Sequence, residues 1–195
     1  MRRRELLKAA ALGPMLPGRL AFGQHRRAAP SDRIQVGMIG VGNFGVANLQ
    51  DFAKNPDVDI VAICDVFEPN LEKGVSLAGG KAKRYRDYRR LLEDRDIQAV
   101  VITTPEHWHA IMCIDACEAG KDVYVEKPAS HHIRDGRLMV EAARRNKRVV
   151  QVGTQQRSGA HFQRAVRYVQ EGRIGTVHYA SVWNHSPMSD PREGP

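Results

Sequence analysis

Apolar positions along the chain fall into two alternating kinds of run. Residues 34–39, 58–64, 97–103, 122–125 and 149–152 form short, nearly continuous stretches rich in Val and Ile, the pattern of parallel strands buried on both faces. Between them, 45–54, 68–78, 107–119 and 133–146 carry apolar residues at three- and four-residue spacing and predict helices. Asn55-Pro56 stops the first of these and Gly120 the third, since a proline disfavours the helical conformation just before it and a glycine accepts the left-handed turn after a helix. A short strand at 84–85 and a short helix at 87–93 complete the series. Strands alternating with helices imply right-handed crossovers and a doubly wound α/β sheet.

The pattern changes after Gly153. Residues 159–170 read as a helix and 177–184 as a strand that alternates openly with polar residues, the first element of a second α/β domain with an open, mainly antiparallel sheet. Residues 186–195 contain three prolines and close no fold, so the sequence is expected to be the N-terminal part of a longer protein. The expected organisation is a signal segment at 1–23, a linker at 24–33, the doubly wound domain at 34–153 and an incomplete second domain at 154–195.

The leader has a basic start, a weakly apolar run and small residues at Ala21 and Gly23. It is too short, and too interrupted by Pro14, Pro17 and Arg19, to span a bilayer as a stable helix. Arg3-Arg4-Glu5-Leu6-Leu7-Lys8 resembles a twin-arginine export signal, which implies the export machinery as a partner and a periplasmic or otherwise exported protein. Most of the chain's formal charge of +8 also sits here: up to Arg33, eight Lys and Arg residues face only Glu5 and Asp32, leaving +2 for the remainder. No basic stripe interleaved with aromatics survives in that remainder, and a nucleic-acid partner is not expected. Cys64, Cys113 and Cys117 form no CxxC pair, and Cys113 and Cys117, four apart on a predicted helix, are expected to pack as small apolar residues.

The chemistry starts at Gly40-Val41-Gly42-Asn43-Phe44-Gly45, a G-x-G-x-x-G that follows a strand, opens a helix and is followed twenty residues later by Asp65 at a strand end. In that context it reads as a dinucleotide-binding loop. Gly40 permits the tight turn, Gly42 lets the backbone approach a pyrophosphate, and Gly45 lets helix and strand pack closely. Asp65 is placed to accept hydrogen bonds from the adenosine ribose and would repel a 2′-phosphate, so NAD is favoured over NADP.

Two further motifs follow at strand ends: Thr103-Thr104-Pro105-Glu106-His107-Trp108-His109 and Glu126-Lys127-Pro128. With the glycine loop, and in this order, they resemble the Gfo/Idh/MocA family of sugar- and cyclitol-directed oxidoreductases. The resemblance implies a Rossmann-type domain followed by an α/β domain that covers the nicotinamide and often mediates homo-oligomers. It also implies that Thr104, Pro105 and His109 line the nicotinamide side of the cleft. Lys127 is the expected catalytic residue, contacting the cofactor ribose and the reacting hydroxyl, with its basicity tuned by the cationic ring; Glu126 would hold it and Pro128 would fix the turn. His107 and His109 diverge on a helix, and a metal site is not expected. Gly153-Thr154-Gln155-Gln156-Arg157 is similar to a cleft-lining segment of exported relatives, which makes Gln156 and Arg157 candidate substrate contacts. The activity so implied is hydride transfer between a sugar or cyclitol hydroxyl carbon and tightly bound NAD. The alternatives are an NAD-dependent glycoside hydrolase working by transient oxidation and elimination, and a nucleotide-binding protein without turnover.

Overall fold

A computed structural model describes residues 32–183. The expected signal segment, nearly all of the linker and residues 184–195 lie outside the described residues. Six strands, β1 (Ile34–Ile39), β2 (Val58–Cys64), β3 (Lys83–Tyr85), β4 (Ala99–Ile102), β5 (Asp122–Glu126) and β6 (Val150–Gly153), form one sheet in the order β3-β2-β1-β4-β5-β6. Every neighbouring pair is parallel. This is the Rossmann order, in which the chain reverses its direction of winding between β1 and β4 and opens a crevice at the strands' carboxyl ends.

Alternate strand residues feed two separate cores, as the two-residue period of a strand requires. Val36, Met38, Ile63 and Val101 pack with α1 (Asn43–Ala53) and α2 (Glu68–Leu77) on one face. Ile39, Ala62, Val100 and Ile102 pack with α3 (Tyr88–Leu92), α4 (His109–Glu118) and α5 (Ile133–Arg145) on the other. All three cysteines are free and buried, Cys113 and Cys117 as expected from their spacing. No helix among the described residues is long and apolar enough to cross a membrane.

The element boundaries differ from the sequence pattern where loops act as caps. α1 begins at Asn43 because the glycine loop itself makes the first turn, with Val46 N–H donating to Gly42 O at 2.8 Å. α4 begins at His109 after a separate 3-10 turn, Glu106–Trp108, whose entry is set by Pro105. Asp87 caps α3 by accepting the Arg89 N–H.

Beyond β6 a second 3-10 turn (Gln155–Ser158) leads into α6 (Ala160–Gln170), which contributes no buried residue. The strand expected at 177–184 is corrected: residues 177–183 are irregular and exposed. A strand exists only through its ladder of hydrogen bonds, and no described segment pairs with this one.

Candidate functional site

Each motif lies at the carboxyl end of a strand, so the sheet brings together residues far apart in sequence. Gly40, at the end of β1, has φ +84°, a conformation that a residue with a Cβ adopts only at a cost. A Cβ on Gly45 would collide with the Gly40 carbonyl oxygen and lie 3.0 Å from Thr103 Oγ1. Thr103 Oγ1 in turn donates to Gly40 O, which ties the end of β4 to the glycine loop.

Gly42 is different: a Cβ there would meet only Asn70 Nδ2, at 3.9 Å, so the space over it is open. The α1 N-terminus has no side-chain cap and no acidic residue in its first turn. Its leading amides, those of Asn43 and Phe44 among them, therefore lack the usual capping partners and present a partial positive charge. An open glycine backed by uncapped helix amides fits a dinucleotide pyrophosphate.

Asp65 follows β2, partly exposed beside this loop. Its Oδ2 accepts from Val41 N at 2.8 Å and from Asn70 Nδ2 at 3.4 Å, and its Oδ1 accepts from Phe67 N at 2.9 Å. The carboxylate is thus fixed against the glycine loop, where an adenosine ribose would reach it. Val66 and Phe67 beside it are exposed apolar residues, and the sequence reading had not singled them out.

The β4 and β5 loops are joined by His109. Its ring is only 2% exposed, with Nε2 2.8 Å from Thr104 O and Nδ1 2.7 Å from Pro128 O. Both nitrogens face backbone carbonyls, which only accept, so a neutral ring donates to one of the two; buried between the β4 and β5 loops, the side chain does not reach the surface where the resemblance placed it. Thr104 and Pro105 stay at the rim, with Thr104 Oγ1 3.6 Å from Met112 Sδ. His107 and Trp108 are exposed.

Glu126 is likewise a support. It is 4% exposed, and its Oε1 accepts from Asn48 Nδ2 of α1 at 3.0 Å and from Gln155 Nε2 at 2.5 Å. Its Oε2 accepts from Lys127 N at 2.9 Å. Its bond to Lys127 is to the backbone amide, while the lysine ammonium lies elsewhere. Lys127 is exposed, precedes a cis peptide bond to Pro128, and places Nζ 4.6 Å from the centroid of the Phe44 ring in the glycine loop. Gln156 and Arg157 are exposed and line an open groove of about 520 Å³ with Phe162, Gln163, Val166 and Arg167.

Asn48 is a further residue that sequence reasoning passed over, and Gln155 was legible only as part of the cleft-lining segment. Asn48 shares the buried face of α1 with Gly45 and Leu49, and a polar residue on such a face signals a buried hydrogen-bond partner.

Comparison with known proteins gives the same assignment. The uncharacterized oxidoreductase YrbE of Bacillus subtilis is 33% identical over 157 residues, 80% of this chain and 45% of that protein. The inositol 2-dehydrogenase of Salmonella typhimurium is 31% identical over 144 residues, 73% of this chain and 43% of that protein. A crystal structure of scyllo-inositol dehydrogenase from Lactobacillus casei with bound cofactor NAD(H) and scyllo-inositol superposes with a TM-score of 0.68 at 25% identity, covering 73% of this chain and 42% of that one. The chain therefore spans less than half the length of these relatives. Residues 34–154 match the model of the oxidoreductase family with an NAD-binding Rossmann fold, and the chain belongs to that family, Gfo/Idh/MocA.

Proposed function

We propose that the chain forms the cofactor-binding half of an NAD-dependent dehydrogenase acting on a hydroxyl-bearing carbon of a cyclitol or sugar. The observation that carries this reading is the position of Lys127. It is an exposed amine at the carboxyl end of β5, held at its backbone by a buried carboxylate and reaching the glycine loop at its tip. Bound NAD would supply the hydride acceptor. The open backbone at Gly42 and the α1 amides would hold its pyrophosphate, and Asp65 its adenosine ribose. Lys127, as the neutral amine, would take the proton of the substrate hydroxyl as its carbon is oxidised and so become the ammonium. Thr104 and Pro105, on the lip anchored by His109, would flank the reacting ring. Gln156 and Arg157, polar and exposed, would meet a polyhydroxylated substrate, for which the inositol enzymes among the relatives supply the first candidates. The twin-arginine-like leader extends the proposal to an exported enzyme that carries its NAD with it.

The test is the full-length protein assayed for NADH formation with a panel of inositols and sugars. Lys127→Met should lower turnover by roughly 10²–10⁴-fold, the usual worth of a proton-transfer group, with little change in NAD affinity. Turnover within a few-fold of wild type would make the lysine structural and remove the basis for the reading.

A further inference from the structure

We propose that Phe44 is a positioning residue for Lys127: its ring holds the lysine ammonium over the glycine loop, so that the amine is presented at the cleft instead of moving freely in solvent. The inference rests on the dehydrogenase reading above and adds a residue to it.

Three observations carry it. Phe44 is 60% exposed at the N-terminus of a helix whose buried residues are Gly45, Asn48 and Leu49, so its ring serves neither core. The Lys127 Nζ lies 4.6 Å from the ring centroid, within the range at which the negative face of an aromatic ring attracts a cation. Among the described residues no carboxylate lies within ion-pair distance of that ammonium, because the adjacent Glu126 is committed to the amides of Asn48 and Gln155 and to the Lys127 N–H.

The lysine is therefore restrained at two points. Glu126 sets where its side chain starts, and Phe44 sets where it ends. A four-carbon stem tethered at one end alone would sample many rotamers. The contact also crosses the crevice, joining the β1 loop to the β5 loop, so the reacting group and the phosphate-binding turn keep a common frame. The backbone amide of residue 44 belongs to the pyrophosphate site whatever the side chain, so the ring can be changed with the amide retained.

The experiment uses the full-length protein and two readouts. The first is the labelling rate of Lys127 by an amine-reactive reagent, followed by mass spectrometry without cofactor. The second is kcat, with NAD affinity measured alongside. Phe44→Leu keeps the apolar bulk and removes the ring; Phe44→Tyr keeps the ring. Pentafluorophenylalanine at position 44 keeps the shape and reverses the ring's quadrupole. Phe44→Leu and the fluorinated ring should raise Lys127 labelling and lower kcat by roughly two- to fivefold, the factor of an exposed cation–π contact. NAD affinity should stay near wild type, and Phe44→Tyr should restore both readouts. Equal labelling in Phe44→Leu, Phe44→Tyr and wild type would overturn the proposal, as would a fluorinated ring that behaves like phenylalanine. If the wild type oxidises none of the substrates offered, the dehydrogenase reading fails, while the labelling series still decides whether Phe44 holds the lysine.

Discussion

Glu126 offers the sharpest test of how the site is built, because its carboxylate joins three segments and has almost no access to water. Replacing it with leucine keeps the approximate volume and removes every acceptor. Asn48 Nδ2, bonded to it at 3.0 Å, would lose its partner in a buried place, and the Lys127 N–H, at 2.9 Å, in a part-buried one; Gln155 is exposed and can turn to solvent. At about 1–3 kcal/mol for each buried donor left unmade, less the relief of no longer desolvating a carboxylate, Glu126→Leu should cost about 2–4 kcal/mol. Glu126→Gln should cost about 1 kcal/mol, because Asn48 and Gln155 can flip their amides to accept from the new NH₂ while its oxygen still receives the Lys127 N–H. Urea denaturation followed by circular dichroism measures both, and turnover should fall in the same order because the start of the lysine side chain moves. A Glu126→Leu protein as stable as wild type, or equal losses in the two variants, would refute the account of Glu126 as a hydrogen-bonded hub.

Gly45→Ala drives a methyl group against the Gly40 carbonyl, and should lower stability by about 1–3 kcal/mol and weaken NAD binding, both measurable by thermal shift with and without cofactor. Asp65→Ser removes the charge beside the ribose position and should move the NADP-to-NAD affinity ratio by roughly tenfold, about 1.4 kcal/mol, toward NADP; titration of both cofactors checks it. Tyr88 is pushed up to about 12, first by burial and then by Asp115, which accepts its hydroxyl at 2.7 Å. A folded-state value above the ordinary one of about 10 means that its stabilisation is intact below pH 10 and is lost as pH rises toward 12. Tyr88→Phe should therefore flatten the alkaline part of the stability curve in that window, read by circular dichroism at graded pH.

The strand ends and the glycine loop were legible in the sequence because each is written locally. A run of Val and Ile closed by Gly40, Asp65 or Glu126-Lys127-Pro128 carries its own signature within a few residues. The supporting bonds were not legible, since Asn48 and Glu126 meet across 78 positions and Gln155 and Glu126 across 29; only the closed sheet brings them together. His109 is an intermediate case. It begins the series His109, Met112, Cys113, Ala116 and Cys117, all buried on one face of α4, and that helical spacing marks a packed histidine more directly than the motif around it suggests. The segment 177–183 shows the opposite limit, where alternation alone was read as a strand and no ladder stands behind it among the described residues.

His109 has a mechanical consequence. One buried imidazole sits between the Thr104 and Pro128 carbonyls, so the loops after β4 and β5 pack against a common side chain. The opposite side is bordered by Phe44 and Phe67, two exposed rings that no core retains. The crevice thus has one edge built around a buried histidine and another lined by exposed aromatic rings.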